Sequence, residues 1–280
     1  MHKLTVSIVL YKTDLSEVQN ILNILKSSIL NPEIYFVDNS PSNELRSQIE
    51  SSGANYIYTG NNVGFGAGHN VAIEKIKNIS EYHLVLNADV DFDASILVEI
   101  YDYMNSNLDV GLLAPKIYNP DGTIQYSVKL LPSPANLIVR RFIPSKSLQK
   151  KMDYNYEFHF FDFNKIIQVP YVMGCFMFIN TKVFNTVNGF DERFFMYPED
   201  IDLTRRILEH FKTIYYPKVS IVHQHGRGSY KSYKLLYYHV NSMIKYFNKW
   251  GWFFDNDRKI INKNILNQFE KDKTSNFDCP

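Results

Sequence analysis

Short apolar runs punctuate the first third of the chain: LTVSIVL (4–10), EIYFVD (33–38), NYIYTG (55–60) and YHLVLNAD (82–89). Between them, segments near 15–27, 41–51 and 66–78 carry apolar residues at helical spacing. Strands alternating with crossover helices predict parallel pairing, and the nearly continuous apolarity of SIVL and HLVL predicts strands covered on both faces. Ligands of such sheets bind beyond the carboxyl ends of the strands. Tyr11–Asp14, Asp38–Ser40, Gly60–Gly64 and Asn87–Asp91 are therefore expected to converge on one crevice.

The pattern loosens after Asp93. VGLLAPKIY and TIQYSV predict two more strands around the NPDG turn at 119–122, and the Pro-, Lys- and aromatic-rich stretch 129–168 reads as an insertion. Regular structure is expected to resume with VPYVMGCFMFIN (169–180), a short helix near 181–187, a helix opening at PEDIDLTRRILEHF and a strand KVSIVH (218–223). A last helix follows, in which Tyr233, Tyr237, Tyr238, Tyr246, Phe247, Trp250, Trp252, Phe253 and Phe254 are interleaved with lysines.

With 45% apolar and 21% charged residues, the chain of 280 is globular rather than disordered. A formal charge of +1 argues against nucleic acid as a partner, because that role needs a basic excess or stripe. Two cysteines, Cys175 and Cys279, supply neither a disulfide framework nor metal-ligand spacing, and the first strand begins without a basic leader. A cytoplasmic location is the expectation, with no membrane-spanning run.

The chemistry concentrates at strand ends. NNVGFGAGHN (61–70) is not a dinucleotide fingerprint, since its glycines follow the third strand and the first turn, YKTD, has none. It suits either close backbone approach to a phosphate or ribose, or simple turn packing. Asp38 in VDNSP fits a helix N-cap or an acceptor for a base or sugar. Asp89 and Asp91 offer hard oxygens for a divalent cation, Mg²⁺ or Mn²⁺, carrying substrate phosphates. In PEDIDL, Glu199 suits the first turn of a helix, Asp202 has Arg205 and Arg206 three and four residues on, and Asp200 is left as the candidate general base. HQHGRGS adds His223 and His225, one of which could ligate a metal, and Arg227, which could meet a diphosphate, with two plain surface histidines as the alternative.

Taken in order, SIVLYKTD, FVDNS, NNVGFGAGHN, LNAD, GCFMFI, GFDERFFMYPEDIDLTRR and HQHGRGSYKS resemble the family 2 glycosyltransferases, especially the rhamnosyltransferase-like branch that assembles bacterial surface polysaccharides such as O-antigen. The resemblance runs from residue 4 to about 255. It implies an α/β GT-A fold with a mostly parallel sheet and a divalent cation, and inversion of the anomeric carbon by direct displacement. It divides the chain into a catalytic domain (1–228), with a nucleotide-sugar half (1–93) and an acceptor half (94–228), and a C-terminal helical region (229–280). Carried onto these positions, Tyr11, Asp38, Asn61, Gly64, Phe65, Asn70, Asn87 and Arg227 would line the donor, a dTDP- or UDP-linked sugar, with dTDP-L-rhamnose first. Asp89 would hold the cation and Asp200, beside Glu199, would be the base. Asn87 stands where the commonest motif has its first acid, which puts cation binding by Asp91 in question. The acceptor would be a saccharide on a polyprenyl diphosphate, and the aromatic-lysine tail would lie peripherally on the cytoplasmic face of the inner membrane. Two rivals share these motifs. Nucleotidyl transfer would want a Gly-rich basic first turn, and a silent sugar-binding module would use PEDIDL only as a helix start.

Overall fold

The structure is a computed structural model that describes residues 2–76, 79–139, 143–224 and 233–275. Its strands are β1 (His2–Leu10), β2 (Glu33–Asp38), β3 (Asn55–Tyr58), β4 (Ser80–Leu86), β5 (Val90–Asp91), β6 (Val110–Tyr118), β7 (Val128–Lys129), β8 (Ile167–Gln168), β9 (Tyr171–Val172), β10 (Phe176–Asn180) and β11 (Lys212–His223). The helices are α1 (Leu15–Lys26), α2 (Arg46–Ser51), α3 (Phe65–Ile76), α4 (Ile96–Ser106), α5 (Lys146–Tyr156), α6 (Lys182–Val187), α7 (Glu199–Leu208), α8 (Tyr233–Trp250) and α9 (Asn256–Ser275), with a π-helical turn at Ala135–Val139.

The main sheet runs β3-β2-β1-β4-β10-β6-β11-β5, with β8 beside β11, and β7 and β9 form a separate small ladder. β3, β2, β1 and β4 are parallel, as the alternation predicts. β10 enters antiparallel between β4 and β6, so the sheet is mixed at its centre. VPYVMGCFMFIN, expected as one strand, breaks at Met173–Cys175 into β9 and β10, which join different sheets. TIQYSV keeps only a bridge from Ile124 to Tyr118 before β7, and the second helix begins five residues later than expected, at Arg46. The stretch 129–168 is not structureless: it holds β8, α5 and the π-turn.

Strand alternation feeds two cores. Leu4, Val6, Ile8 and Leu10 of β1 pack toward α1 and α4, while Val37 and Val85 face α3, α6 and α7. On that second face Thr5 and Ser7 put hydroxyls into the interior, where unpaired polar groups would cost several kcal/mol. They are paired through His83, whose Nδ1 lies 2.9 Å from Thr5 Oγ1 and whose Nε2 lies 2.8 Å from Ser7 Oγ. Ser7 continues to His69 Nδ1 on α3 at 2.7 Å, tying the helix to the sheet. Gly68 allows the approach, since a Cβ there would stand 2.8 Å from a methyl of Val9.

Burial pushes the His83 imidazole down to about 3, and burial together with His83 holds His69 well below its usual value. Both rings are neutral in the fold and would protonate near 6.5 when unfolded, so stability falls as pH drops from about 6.5 toward 3. Urea midpoints between pH 7 and 4 should show this slope. It should be shallower in a folded His83→Gln variant, and an identical slope in that variant would contradict the account.

Candidate active site

The carboxyl ends of β1 to β4 lie side by side along one edge of the sheet, where the candidate crevice is. Register places Leu10 beside Asp38, Asp38 beside Tyr58 and Ile8 beside Leu86. Asp38 is buried, and its carboxylate accepts from Ser40 N at 2.8 Å and Tyr56 Oη at 2.6 Å. It closes a turn rather than capping a helix, because α2 starts well downstream. Tyr11 and Asn61 are exposed on the rim.

The glycine-rich loop departs from the phosphate reading. Gly64 N donates to Asn62 Oδ1 and Phe65 N to the Phe195 carbonyl, so the first donors of the loop are already occupied. Gly64, with φ of +98°, lies where any Cβ would collide with that carbonyl. Asn70, expected at the donor, spends its amide on the 189–192 turn: Oδ1 accepts from Phe190 N at 2.8 Å, and Nδ2 donates to the Phe190 carbonyl and to Glu192. Its place is in the wall that carries Phe195. Phe65 packs edge-on to His69 and lies against Gly174.

At the end of β4, Asp89 Oδ1 stands 3.4 Å from His223 Nε2. Gln125 fixes that imidazole: its Nε2 donates to Asn119, leaving Oε1 to accept from His223 Nδ1 at 2.8 Å and turning Nε2 toward Asp89. Burial alone would raise Asp89, but hydrogen bonds from His223 and Asn87 and the charge of His223 hold it below its ordinary value. Burial would likewise lower His223, yet Cys175 and Asp89 push it up to about 10. The carboxylate and a ring nitrogen with its partner nitrogen already bonded are donors that could hold a divalent cation, which would displace the ring proton. Asp91 does not complete it: Val90 is the inward residue of β5, and Asp91 points to solvent. Among the described residues no three His, Cys, Asp or Glu side chains stand together as a metal cluster. Two protein donors suit a cation that takes its remaining ligands from water and substrate phosphate. His225 and Arg227 lie outside the described residues.

Opposite this pair, α7 presents Glu199 and Asp200. Asp200 is half-buried, and Oδ2 accepts from Gly174 N at 3.1 Å and lies 3.5 Å from Tyr171 Oη, while Oδ1 accepts from Ile201 N at 2.8 Å. Burial raises the Asp200 carboxyl to about 7, against the opposing pull of the Ile201 and Gly174 N–H groups and the Lys129 ammonium. Glu199, 3% exposed and with Oε2 unpartnered, is pushed well above its usual range by burial and by the charge of Asp200. One member of the pair is thus protonated while the other can ionise near neutrality.

Gln125, Lys129 and Tyr171 carry no sequence signal of their own, and the Gly174–Cys175 break lies inside GCFMFI without showing there as a break. They bind the halves together. Gly174 N holds Asp200, the next carbonyl, that of Cys175, accepts from Asn87 N at 3.0 Å, and the Cys175 thiol neighbours His223. A groove of about 780 Å³ lined by Ser28, Glu99, Tyr103 and Tyr216 lies between α4 and the turn that follows α1 and contains none of these groups.

On the far side of α7, Arg205 does not pair with Asp202 as its spacing suggests. It makes two 2.7 Å bonds to Asp255 and stacks at 4.0 Å on Trp250. Asp202 instead takes Arg206, Trp250 Nε1 and Lys249.

Residues 5–187 match the family model described as Glycosyl transferase family 2. The low-salt glycan biosynthesis hexosyltransferase Agl10 of Haloferax volcanii is 27% identical over 72% of this chain and 61% of its own length. The N-acetylglucosaminyl-diphospho-decaprenol L-rhamnosyltransferase of Mycobacterium tuberculosis is 24% identical over 66% of this chain and 64% of its own. The chain therefore spans somewhat under two thirds of the length of these curated relatives. Among solved structures, the mannosyltransferase PcManGT of Pyrobaculum calidifontis, in complex with GDP-Man and Mn²⁺, superposes with a TM-score of 0.56 at 12% identity over 87% of this chain and 64% of that one.

Because Asp200 ionises near 7 when folded and at about 3.8 when free, the fold loses stability as pH rises through that interval. Asp200→Asn should therefore melt higher than the parent at pH 7.5, with the difference vanishing near pH 4. An equal or lower melting temperature at pH 7.5 would overturn the burial of this charge.

Proposed function

Since this chain belongs to glycosyl transferase family 2 and carries the GT-A fold, we propose that it transfers a sugar from a nucleotide donor to a hydroxyl of a saccharide acceptor, inverting the anomeric centre. The observation that carries this reading is the adjacency of Gly174 and Cys175: one touches the candidate base and the other the Asp89–His223 pair. Proton acceptance and diphosphate stabilisation are thereby held across one crevice.

Asp200 takes the proton of the attacking hydroxyl. Its carboxyl near 7 is ionised in a substantial fraction of molecules at physiological pH and still basic enough to accept, and its N–H partners at Gly174 and Ile201 fix its aim. Glu199 stays neutral beside it. Asp89 and His223 would hold a divalent cation, Mg²⁺ or Mn²⁺, whose positive charge would stabilise a departing nucleoside diphosphate. Asp38, Tyr11 and Asn61 are assigned to the nucleotide, and the Asn87 hydrogen bond orients Asp89. No covalent sugar-enzyme intermediate is needed.

The donor we favour is dTDP-L-rhamnose and the acceptor a saccharide on a polyprenyl diphosphate, in surface polysaccharide assembly. The decaprenol-linked substrate and L-rhamnosyl group in the mycobacterial relative's name support that choice. Incubation with Mn²⁺ and a panel of nucleotide-sugars should release nucleoside diphosphate, most from dTDP-L-rhamnose. Asp200→Asn should cut turnover at least about a hundredfold with donor binding retained, and Asp89→Ala should remove the Mn²⁺ dependence of nucleotide affinity. Release from no donor would favour a sugar-binding module. Near-normal turnover by a folded Asp200→Asn variant would remove that residue from the chemistry.

The aromatic tail divides in two. Tyr246 and Phe247 are fully buried, and Lys245 and Lys249 bond to Arg193 O and to Asp191 and Asp202, so these lysines are not free for an anionic surface. Tyr233, Tyr237, Phe253 and Phe254 remain 66–92% exposed, and no helix among the described residues is long and apolar enough to cross a membrane. Aromatic rings of this kind favour the bilayer interface, which fits a peripheral site on the cytoplasmic leaflet. Replacing both Phe253 and Phe254 by Ser should sharply reduce co-sedimentation with anionic vesicles. Undiminished binding would exclude this tip as the contact.

A further inference from the structure

The β7–β9 ladder pairs Lys129 with Tyr171, whose hydroxyl lies 3.5 Å from the Asp200 carboxylate. Lys129 is mostly buried, with a side-chain exposure of 18%, and its ammonium is 2.6 Å from Glu157 and 5.6 Å from the Tyr156 ring centre. Glu157 spends its second oxygen on His159 at 3.1 Å, and His159 stacks on Tyr126 at 4.1 Å. A lysine with four carbons of freedom is thus pinned at the edge of the crevice, on a strand two residues long, by a carboxylate that is itself held.

The donor chemistry sketched above gives this lysine no task. Its ladder partner touches the candidate base, and the groups facing Asp200 from the surrounding elements are Glu199 on α7, Tyr171 on β9 with Tyr156 and Cys175 behind it, and Lys129 on β7. Lys129 is the cation among them. Tyr171 is kept neutral by burial, and Glu199 and Asp200 are of like charge when both ionise, so removing the ammonium leaves the pair facing no positive group among these.

We propose that Lys129 is a positioning residue for the reaction: its ammonium, pinned by Glu157 across from Tyr171, supplies the positive field that keeps Asp200 available as a base beside Glu199. Glu157 is then a two-way control. It fixes the ammonium in place and at the same time offsets part of its charge. The physical basis is ordinary: an opposite charge near a carboxylate favours the ionised form, the more so where water is scarce. The role extends the reading of Asp200 as the base and rests on it.

The experiment reads Asp200 both with and without turnover. In protein labelled with ¹³C at the Asp side-chain carboxyl, the Asp200 resonance is identified by its loss in Asp200→Asn, and its titration is followed in Lys129→Met, Lys129→Arg and Glu157→Gln alongside the pH dependence of kcat/KM. Lys129→Met should move the Asp200 midpoint up by about one pH unit, Glu157→Gln should move it down, and Lys129→Arg should restore it. The acid limb of kcat/KM should follow each shift while KM for the donor stays within about twofold. A midpoint unmoved in folded Lys129→Met, or a shift that Arg fails to reverse, would overturn the proposal. So would a loss of rate equal at every pH, the mark of a plain substrate contact. A midpoint that moves while the acid limb stays put would leave the charge coupling standing and strike Asp200 from the role of base.

Discussion

The bidentate pair between Arg205 and Asp255 is the constraint on which the geometry of the site depends. Both side chains are almost wholly withdrawn from solvent, at 2% and 3% exposure, and a buried charge left without its partner costs about 3–5 kcal/mol. The pair pins α7 to the turn between α8 and α9. Asp202 adds a second tie, through Arg206 on its own helix and through Lys249 and Trp250 on α8. The charges at Asp202, Arg205 and Arg206 thus immobilise α7 so that its first two residues, Glu199 and Asp200, can be presented under strain of a different kind, the desolvation of two neighbouring acids. The helix is stabilised where it is not used and destabilised where it is.

The same division of labour holds across the crevice. Asp89 and His223 satisfy one another, whereas Glu199 and Asp200 oppose one another, and the two pairs are separated by the irregular Met173–Cys175 segment. An unbroken strand through 169–180 would have continued one ladder and kept the Gly174 N–H for a sheet partner. Breaking it frees that N–H for Asp200 and sends the chain from the small ladder into the main sheet. The 125–129 segment runs parallel in purpose: Gln125 orients His223, the Ser127 carbonyl accepts from Met173 N, and Lys129 reaches the acid pair's side.

Much of this was legible in the sequence, and the reason is local. β2 and β6 fall where their apolar runs lie, because a strand covered on both faces must be apolar throughout. The carboxyl-edge loops followed from parallel topology alone. The acids of LNAD and PEDIDL stood out because charge after a buried run needs a purpose. What escaped was non-local. Gln125 and Lys129 sit in a stretch with no sustained period, and nothing in the spacing of Arg205 from Asp202 reveals that a residue fifty positions on takes the guanidinium. The glycine cluster stayed open between two readings for a related reason: close approach reads alike whether the neighbour is a phosphate or, as at Gly64 and Gly68, another part of the chain. The interior histidines escaped as well, since a His in an apolar strand looks the same before its Thr and Ser partners are known.

The Arg205–Asp255 lock also has a direction in time. During synthesis the segments bearing Asp89, Gln125, Gly174 and Asp200 all leave the ribosome before Asp255 does, so every reactive group is present while the guanidinium of Arg205 still lacks its counter-ion. Until the α8–α9 turn emerges, burying α7 in its final pose would strand a positive charge, a cost of about 3–5 kcal/mol that is removed only when Asp255 joins the chain.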